Sequence, residues 1–282
     1  NANNANNANN ANKTNKTNKT NKTKAMESSI ETTKEEGPWL VFSGAQEPRA
    51  NSKAKTNGDR SVDEEDEVRH RVLRMNQQAI LATSGSQFMV AERIHVVTLK
   101  LIESRPASEQ RTLVDLHMSV LNNYACLCRR LRQLPMATRL LQRALYLART
   151  IVSIEERSSE ILPVLTNLAC VASLGRRHLE AVSYAARAVL ITMAMEERER
   201  EEREDKKTTI TGDRKRSSRE MPVPEEQRIV CLFNLAAEME HLGGKTKAMA
   251  GSVYRHALIR SRDCLGSDHP LTEKLRGAAH PQ

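Results

Sequence analysis

The sequence predicts an all-α protein made of about four stacked helical hairpins, and a repeated pattern of small residues is the main reason. A short motif returns along the chain as LNNYAC, LTNLAC and LFNLAA, at Leu121–Cys126, Leu165–Cys170 and Leu232–Ala237. Twelve residues after the alanine of each motif comes another alanine: Ala137, Ala181 and Ala248. Because small side chains let two helix axes approach closely, alanines with a period near 44 residues indicate stacked helix pairs.

A third small position completes each unit. Ala144 follows Ala137 by seven residues, and Ala188 follows Ala181 by seven, which places each pair on one face of a second helix. A fainter unit comes first, with Ala79, Ala91 and Thr98. The last unit departs from the spacing: Tyr254 and Ala257 fit it only if the turn at Gly243–Gly244 is about two residues longer, with Ala250 as the alternative to Ala248.

These residues resemble the tetratricopeptide repeat, in its long form typified by kinesin light chains. The resemblance rests on the three asparagine–alanine motifs, on Leu174–Arg176 with Glu180–Ala181, and on LGSDHPL at Leu265–Leu271. It covers roughly residues 70–275 and lacks aromatic residues at several of the family's packing positions. It implies a right-handed superhelical stack whose first helices line a concave groove for peptides.

The apolar pattern predicts the individual helices. A first helix begins at the acidic run Asp63–Glu67 and carries Ala79, and its partner runs from Phe88 to Leu101 after a turn at Thr83–Ser86. The next helices are expected at 109–131, 136–154, 159–174 and 178–195. Pro135 and Pro163 both suit the first turn of a helix, and Asp268 is expected to cap the helix after the Asp-His-Pro stretch.

Two stretches do not fit the repeats. Residues 1–60 begin with a low-complexity tract of Asn-Ala-Asn and Asn-Lys-Thr triplets, which predicts a disordered tail before a repeat domain at 61–282. Trp39–Phe42 is its one apolar cluster, a candidate linear motif for a partner or for the protein's own groove. The charged insertion at about 196–224 is expected to start as a solvated continuation of the preceding helix and to end as a loop.

Charge and composition exclude several classes of protein. The formal net charge is +9, divided as +4 in residues 1–60 and +5 in the remainder, so the repeat domain has no dedicated phosphate-binding face. Nucleic-acid binding is therefore not expected. No stretch is long and apolar enough to span a membrane. Five cysteines, an odd number without a Cys-x-x-Cys pair, indicate a reducing compartment.

Catalytic and metal-binding patterns do not emerge. Gly243–Thr246 resembles the end of a phosphate-binding loop, but Met239 stands where that loop needs its first glycine. The histidines have no His-Glu-x-x-His spacing, and Cys126 and Cys128 point to different sides of a helix. We expect a protein that is not an enzyme and uses no cofactor.

The resemblance implies that the residue two positions before each first-helix alanine points into the groove. A row of side-chain amides there would offer a donor and an acceptor each to an extended peptide. The candidate groove residues, with their neighbours, are Asn76, Gln77, Asn122, Asn123, Arg129, Arg130, Asn167 and Asn234. The alternative is that these asparagines brace neighbouring helices.

We therefore expect a scaffold or adaptor that binds peptide segments of other proteins. The alternative is a structural subunit of a large flagellar, cytoskeletal or organellar assembly. A motor-cargo adaptor is disfavoured because no long heptad coiled coil precedes the repeats. A cytoplasmic location is expected, with the flagellum or cytoskeleton, or a mitochondrion or other organelle, as alternatives.

Overall fold

The computed structural model describes residues 60–150, 158–208 and 224–279, and every regular element in these ranges is a helix. The helices are α1 (Arg60–Ser84), α2 (Phe88–Glu103), α3 (Ala107–Thr112), α4 (Val114–Arg130), α5 (Leu134–Thr150), α6 (Ser158–Leu174), α7 (His178–Thr208), α8 (Glu225–Leu242), α9 (Gly244–Leu265) and α10 (Pro270–Ala279). The prediction of an all-α fold is confirmed.

The long helices pack as four antiparallel pairs: α1 with α2, α4 with α5, α6 with α7, and α8 with α9. The second helix of each pair also packs against the first helix of the next pair, and successive first helices touch one another. The helix α10 packs on α9. First helices therefore lie inside the stack, and α6 is buried almost all round from Ile161 to Ala172.

All four second helices bury the same register of positions. Counting from the buried alanine at their start, the positions buried in all four helices are 0, 4, 7, 8 and 11, which is one face of a helix. In α2 they are Ala91, His95, Thr98, Leu99 and Ile102; in α5, Ala137, Leu141, Ala144, Leu145 and Ala148. In α7 they are Ala181, Ala185, Ala188, Val189 and Thr192; in α9, Ala250, Tyr254, Ala257, Leu258 and Ser261. The small residues of the sequence motif thus lie at the helix contacts.

The first three hairpin turns share one geometry. Ser86, Arg132 and Arg176 occupy equivalent positions and have positive φ angles of 58°, 60° and 58°. In each turn the next residue's N–H donates to a carbonyl five residues back, as Gln133 does to Cys128 at 2.8 Å. This bond satisfies one of the carbonyls that a helix end leaves open. The turns therefore repeat with the same period as the alanines.

The fourth hairpin corrects the predicted spacing. Ala250 is 1 % exposed and Ala248 is exposed, so the alternative anchor is the one that packs. The two additional residues do not lengthen the turn, which is Gly243 alone between α8 and α9. The turn is in fact two residues shorter than in the other hairpins, while α8 ends one residue later and α9 begins three residues earlier relative to their alanines, because Gly243 adopts a φ of 71° that lets the chain reverse within one residue.

Several predicted boundaries also change. The helix expected at 109–131 is divided at Leu113, whose buried side chain joins the core between α3 and α4. Pro163 is the sixth residue of α6 and lies beyond its first turn. The side chain that caps α10 belongs to His269 and not to Asp268: its Nδ1 accepts the N–H of Leu271 at 3.3 Å.

The insertion is partly described. Its first half continues α7 as far as Thr208, as predicted. Residues 1–59, with the predicted tail and Trp39–Phe42, lie outside the described residues, as do 151–157, 209–223 and 280–282.

Candidate functional site

The candidate groove residues all lie on first helices, but they differ in exposure. Asn76, Asn167 and Asn234 are buried at 4 %, 2 % and 1 % exposure. Gln77 is exposed, and Asn122 and Asn123 are half-buried. A peptide that lies along the first helices therefore meets accessible amides on α1 and α4, whereas the amides of α6 and α8 are turned into the protein.

Four of the predicted amides form two bonds between successive first helices. The Nδ2 of Asn123 on α4 donates to the Oδ1 of Asn76 on α1 at 3.1 Å. One hairpin further, the Nδ2 of Asn167 on α6 donates to the Oδ1 of Asn122 on α4 at 2.9 Å. In both bonds the donor lies two residues before its alanine and the acceptor lies three before the preceding one. We call these two bonds the asparagine ladder.

The asparagine ladder matches the bracing role that the sequence left open as an alternative. Asn76 adds a weak bond to Ser119 Oγ on α4, at 3.4 Å. The Oδ1 of Asn167 is buried and has no hydrogen-bond partner in the described structure. A partly buried bond between side chains favours one relative position of two hairpins, because breaking it leaves the atoms of the buried partner, Asn76 or Asn167, without that bond.

The two predicted arginines occupy different surroundings. Arg129 is buried at 5 % exposure on α4. Arg130 is half-buried, and its Nη1 donates to the backbone oxygen of Thr83 in the first hairpin turn at 3.4 Å. Burial lowers the pKa of Arg130 from its usual value, although an arginine stays protonated near neutral pH. Arg130 therefore places a cation where the C-terminal ends of α1 and α4 meet.

A second polar cluster escaped the sequence analysis. Glu238 on α8 is fully buried; its Oε1 accepts from Ser173 Oγ at 2.6 Å, and its Oε2 lies 2.9 Å from His178 Nδ1. His178 also stacks on His241, with ring centroids 4.9 Å apart. The signal in the sequence was an acidic residue two positions after the alanine, where the other units have Leu81, Leu127 and Val171. The cluster joins the third hairpin to the fourth.

An ionic network joins the same hairpins at the opposite end of α8. Arg260 on α9 makes paired hydrogen bonds to Glu196, at 2.8 and 3.0 Å, and to Glu225, at 2.8 and 3.1 Å. The buried Arg228 contacts Glu199 at 2.5 Å and Glu225 at 3.4 Å. The bonds from Arg260, first among the causes, lower the pKa of Glu196. The start of the insertion is therefore held by α8 and α9 and is not merely solvated.

Neither cluster has the composition of a metal site. In the described ranges, no group of three or more His, Cys, Asp or Glu side chains is placed to hold a metal ion. Cys128, Cys170 and Cys231 are buried, and burial raises the pKa of the Cys128 and Cys231 thiols to about 12. These thiols serve as small apolar packing groups. None of the described helices has the length and apolarity needed to cross a membrane.

Comparison of the chain with models of known protein families, and with curated proteins, finds no match.

Proposed function

We propose that this protein is a tetratricopeptide-like scaffold that binds an extended peptide segment of another protein along its first helices. The observation that carries the proposal is the repeated register: the small residues recur at equivalent buried positions, so the first helices form a continuous row. Such a row is the peptide-binding surface of helical repeat proteins.

The accessible side chains narrow the proposed contact to the first two hairpins. Gln77, Asn122 and Asn123 supply amide donors and acceptors, and Arg130 supplies a cation about two turns further along α4. The amides suit a peptide backbone, and the arginine favours a segment that carries a carboxylate or its own C-terminus nearby. The buried Asn167 and Asn234 would act indirectly, through the packing of the hairpins that present this surface.

The test is affinity capture of partners with the full chain and a groove variant, Gln77→Ala with Asn123→Ala. If each lost hydrogen bond is worth about 0.5–1.5 kcal/mol, the double variant binds its partner about fivefold to more than a hundredfold more weakly. A matched control is Gln133→Ala with Gln142→Ala, which removes two exposed amides from a turn and from the second helix α5. Both variants should keep the wild-type circular dichroism spectrum.

Unchanged affinity of the folded groove variant for the same partners would contradict the groove. Recovery of one fixed set of partners in constant proportions by wild type and both variants would instead favour the structural-subunit alternative, whose contacts lie on other surfaces.

A further inference from the structure

The outer surface of the stack carries a row of exposed apolar side chains. Tyr146 on α5, Leu190 on α7 and Ile259 on α9 are 67 %, 63 % and 60 % exposed. Each lies nine residues after the buried alanine of its helix, about two and a half turns away, so each points away from the core. We call these three residues the outer row. In the described structure, nine of the ten exposed large apolar side chains lie on second helices and only Leu81 on a first helix.

The second helices are close enough for their side chains to meet along this surface. Arg260, next to Ile259, bonds Glu196 of α7 at 2.8 Å, and Arg177, directly before α7, donates to Thr138 Oγ1 of α5 at 3.4 Å. The outer row is therefore one surface that crosses three hairpins. Exposed apolar patches of this kind mark a binding surface more often than isolated exposed residues do.

Positive charge flanks Tyr146 and Ile259, whereas α7, which carries Leu190, mixes acidic and basic residues. Helix α5 has three arginines, Arg139, Arg143 and Arg149, and no acidic residue. Helix α9 has five basic residues and one acidic residue, and Arg255 and Arg262 are exposed on either side of Ile259. This surface suits an apolar segment with acidic flanks, and it opposes a second copy of itself because like charges would meet.

The chain contains such a segment outside the described residues. Residues 31–47, ETTKEEGPWLVFSGAQE, hold four acidic residues and one lysine around Trp39–Phe42. They include the only tryptophan of the protein and one of its three phenylalanines. Apolar side chains are otherwise scarce in residues 1–59. The segment 31–47, which we call the tryptophan segment, is complementary to the outer row in both apolar character and charge.

The connecting chain is long enough. Seventeen residues separate Phe42 from Arg60, and an extended chain of that length spans up to about 60 Å. Neighbouring packed helices lie about 8–10 Å apart, so three hairpins occupy a few tens of ångströms. The tryptophan segment can therefore reach any part of the outer row from the start of α1.

We propose that the tryptophan segment docks onto the outer row of the same chain, with its glutamates facing the arginines of α5 and α9. Docking removes the exposed apolar surface from water and leaves the first helices open. The proposal is independent of peptide binding on the first helices, because it concerns the opposite surface.

The single tryptophan makes this testable in the full chain by fluorescence. We expect Trp39 to emit at shorter wavelength, and to be quenched less by acrylamide, in the native protein than in the denatured one. The row variant Tyr146→Ser, Leu190→Ser and Ile259→Ser should shift the emission to that of the denatured chain while circular dichroism stays unchanged. The variant Glu35→Lys with Glu36→Lys should do the same from the side of the segment, without altering the stack.

A matched control removes three other exposed apolar side chains near the hairpin turns: Met89→Ser, Leu179→Ser and Met249→Ser. It should retain the native emission. Native emission equal to that of the denatured chain would overturn the proposal, as would native emission that survives in both the row and charge variants. A shift that disappears on dilution would overturn docking within one chain, since it would require a second copy.

Discussion

The molecule has two parts that share the helical-hairpin architecture but differ in the side-chain contacts between hairpins. The main apolar cluster runs from α1 through the third hairpin and reaches Cys231 of α8, and the asparagine ladder adds neutral amide bonds between the first three hairpins. From α8 to α10 a second apolar cluster takes over, and charged side chains join it to the third hairpin. The insertion, which begins within α7, separates the two parts in the sequence.

This difference shows that a repeat stack can bury the same positions in every hairpin while the side-chain contacts between neighbouring hairpins differ. The fourth hairpin buries the same five positions of its second helix as the others do. However, the shared turn geometry is replaced by Gly243, and charged side chains contact the third hairpin, Glu238 at one end of α8 and Arg228 at the other. The charged contacts therefore lie between the third and fourth hairpins, where the regular spacing of the repeats is interrupted.

The largest expected effect tests the shared register. Changing Ala250 to Arg places a charged side chain at a fully packed helix contact and should lower the free energy of unfolding by on the order of 4 kcal/mol or more. Ala248→Arg, two residues earlier and exposed, should change it by less than about 0.5 kcal/mol. Denaturant unfolding followed by circular dichroism measures both. Equal stability of the two variants would show that the fourth hairpin is out of register.

Acidic pH should lower the stability of the first part, from α1 to α7, because two of its histidines are buried. Burial lowers the pKa of His95 to about 4, and burial followed by the nearby Arg143 lowers that of His117 to about 4. Because the unfolded chain binds these protons near pH 6.5 and the folded chain does not, stability falls as the pH drops below about 6.5. Between pH 7 and pH 5 each histidine should lower the free energy of unfolding by about 2 kcal/mol.

The variant His95→Phe keeps an aromatic ring beside Tyr124, on which His95 stacks, but cannot bind a proton. Its stability should therefore depend on pH about half as steeply as that of wild type in this range. Denaturant unfolding at a series of pH values provides the measurement. An unaltered slope would show that His95 is not the group that titrates.

A contact between hairpins could be predicted from the sequence only where the residues that form it recur with the repeat. The alanines and the outlines of the hairpins follow from spacing, because close helix packing restricts those positions to small residues. The asparagines were visible too, but not their role: whether Asn167 faces a peptide or Asn122 depends on how two hairpins are rotated. Contacts such as Arg228 with Glu199 join residues across the insertion, and no period links them.

Breaking the ion pairs of Arg228 should have an intermediate effect on the free energy of unfolding. Arg228 is 4 % exposed and contacts Glu196, Glu199 and Glu225, which are only partly shielded from water. Arg228→Met should lower the free energy of unfolding by about 2 kcal/mol, less than for a fully buried pair, because water and Arg260 still solvate the glutamates. The control Arg203→Met removes a 75 % exposed partner of Glu199 and should have almost no effect. Similar losses of stability in both variants would show that the buried Arg228 contributes no more to stability than an exposed arginine does.

The smallest expected loss of stability comes from breaking the asparagine ladder, and it can be compared directly with the loss expected for Arg228→Met. Asn167→Ala removes a buried donor to Asn122 and should lower the free energy of unfolding by about 1–2 kcal/mol. Asn122→Ala should do the same through the other partner, and the double variant should lose less than the sum by about 0.5–1.5 kcal/mol, since both changes remove one bond. A double-mutant cycle measured by denaturant unfolding gives this coupling. If the coupling is zero, the amide bond does not hold the second and third hairpins together, and packing of the alanines alone sets their position.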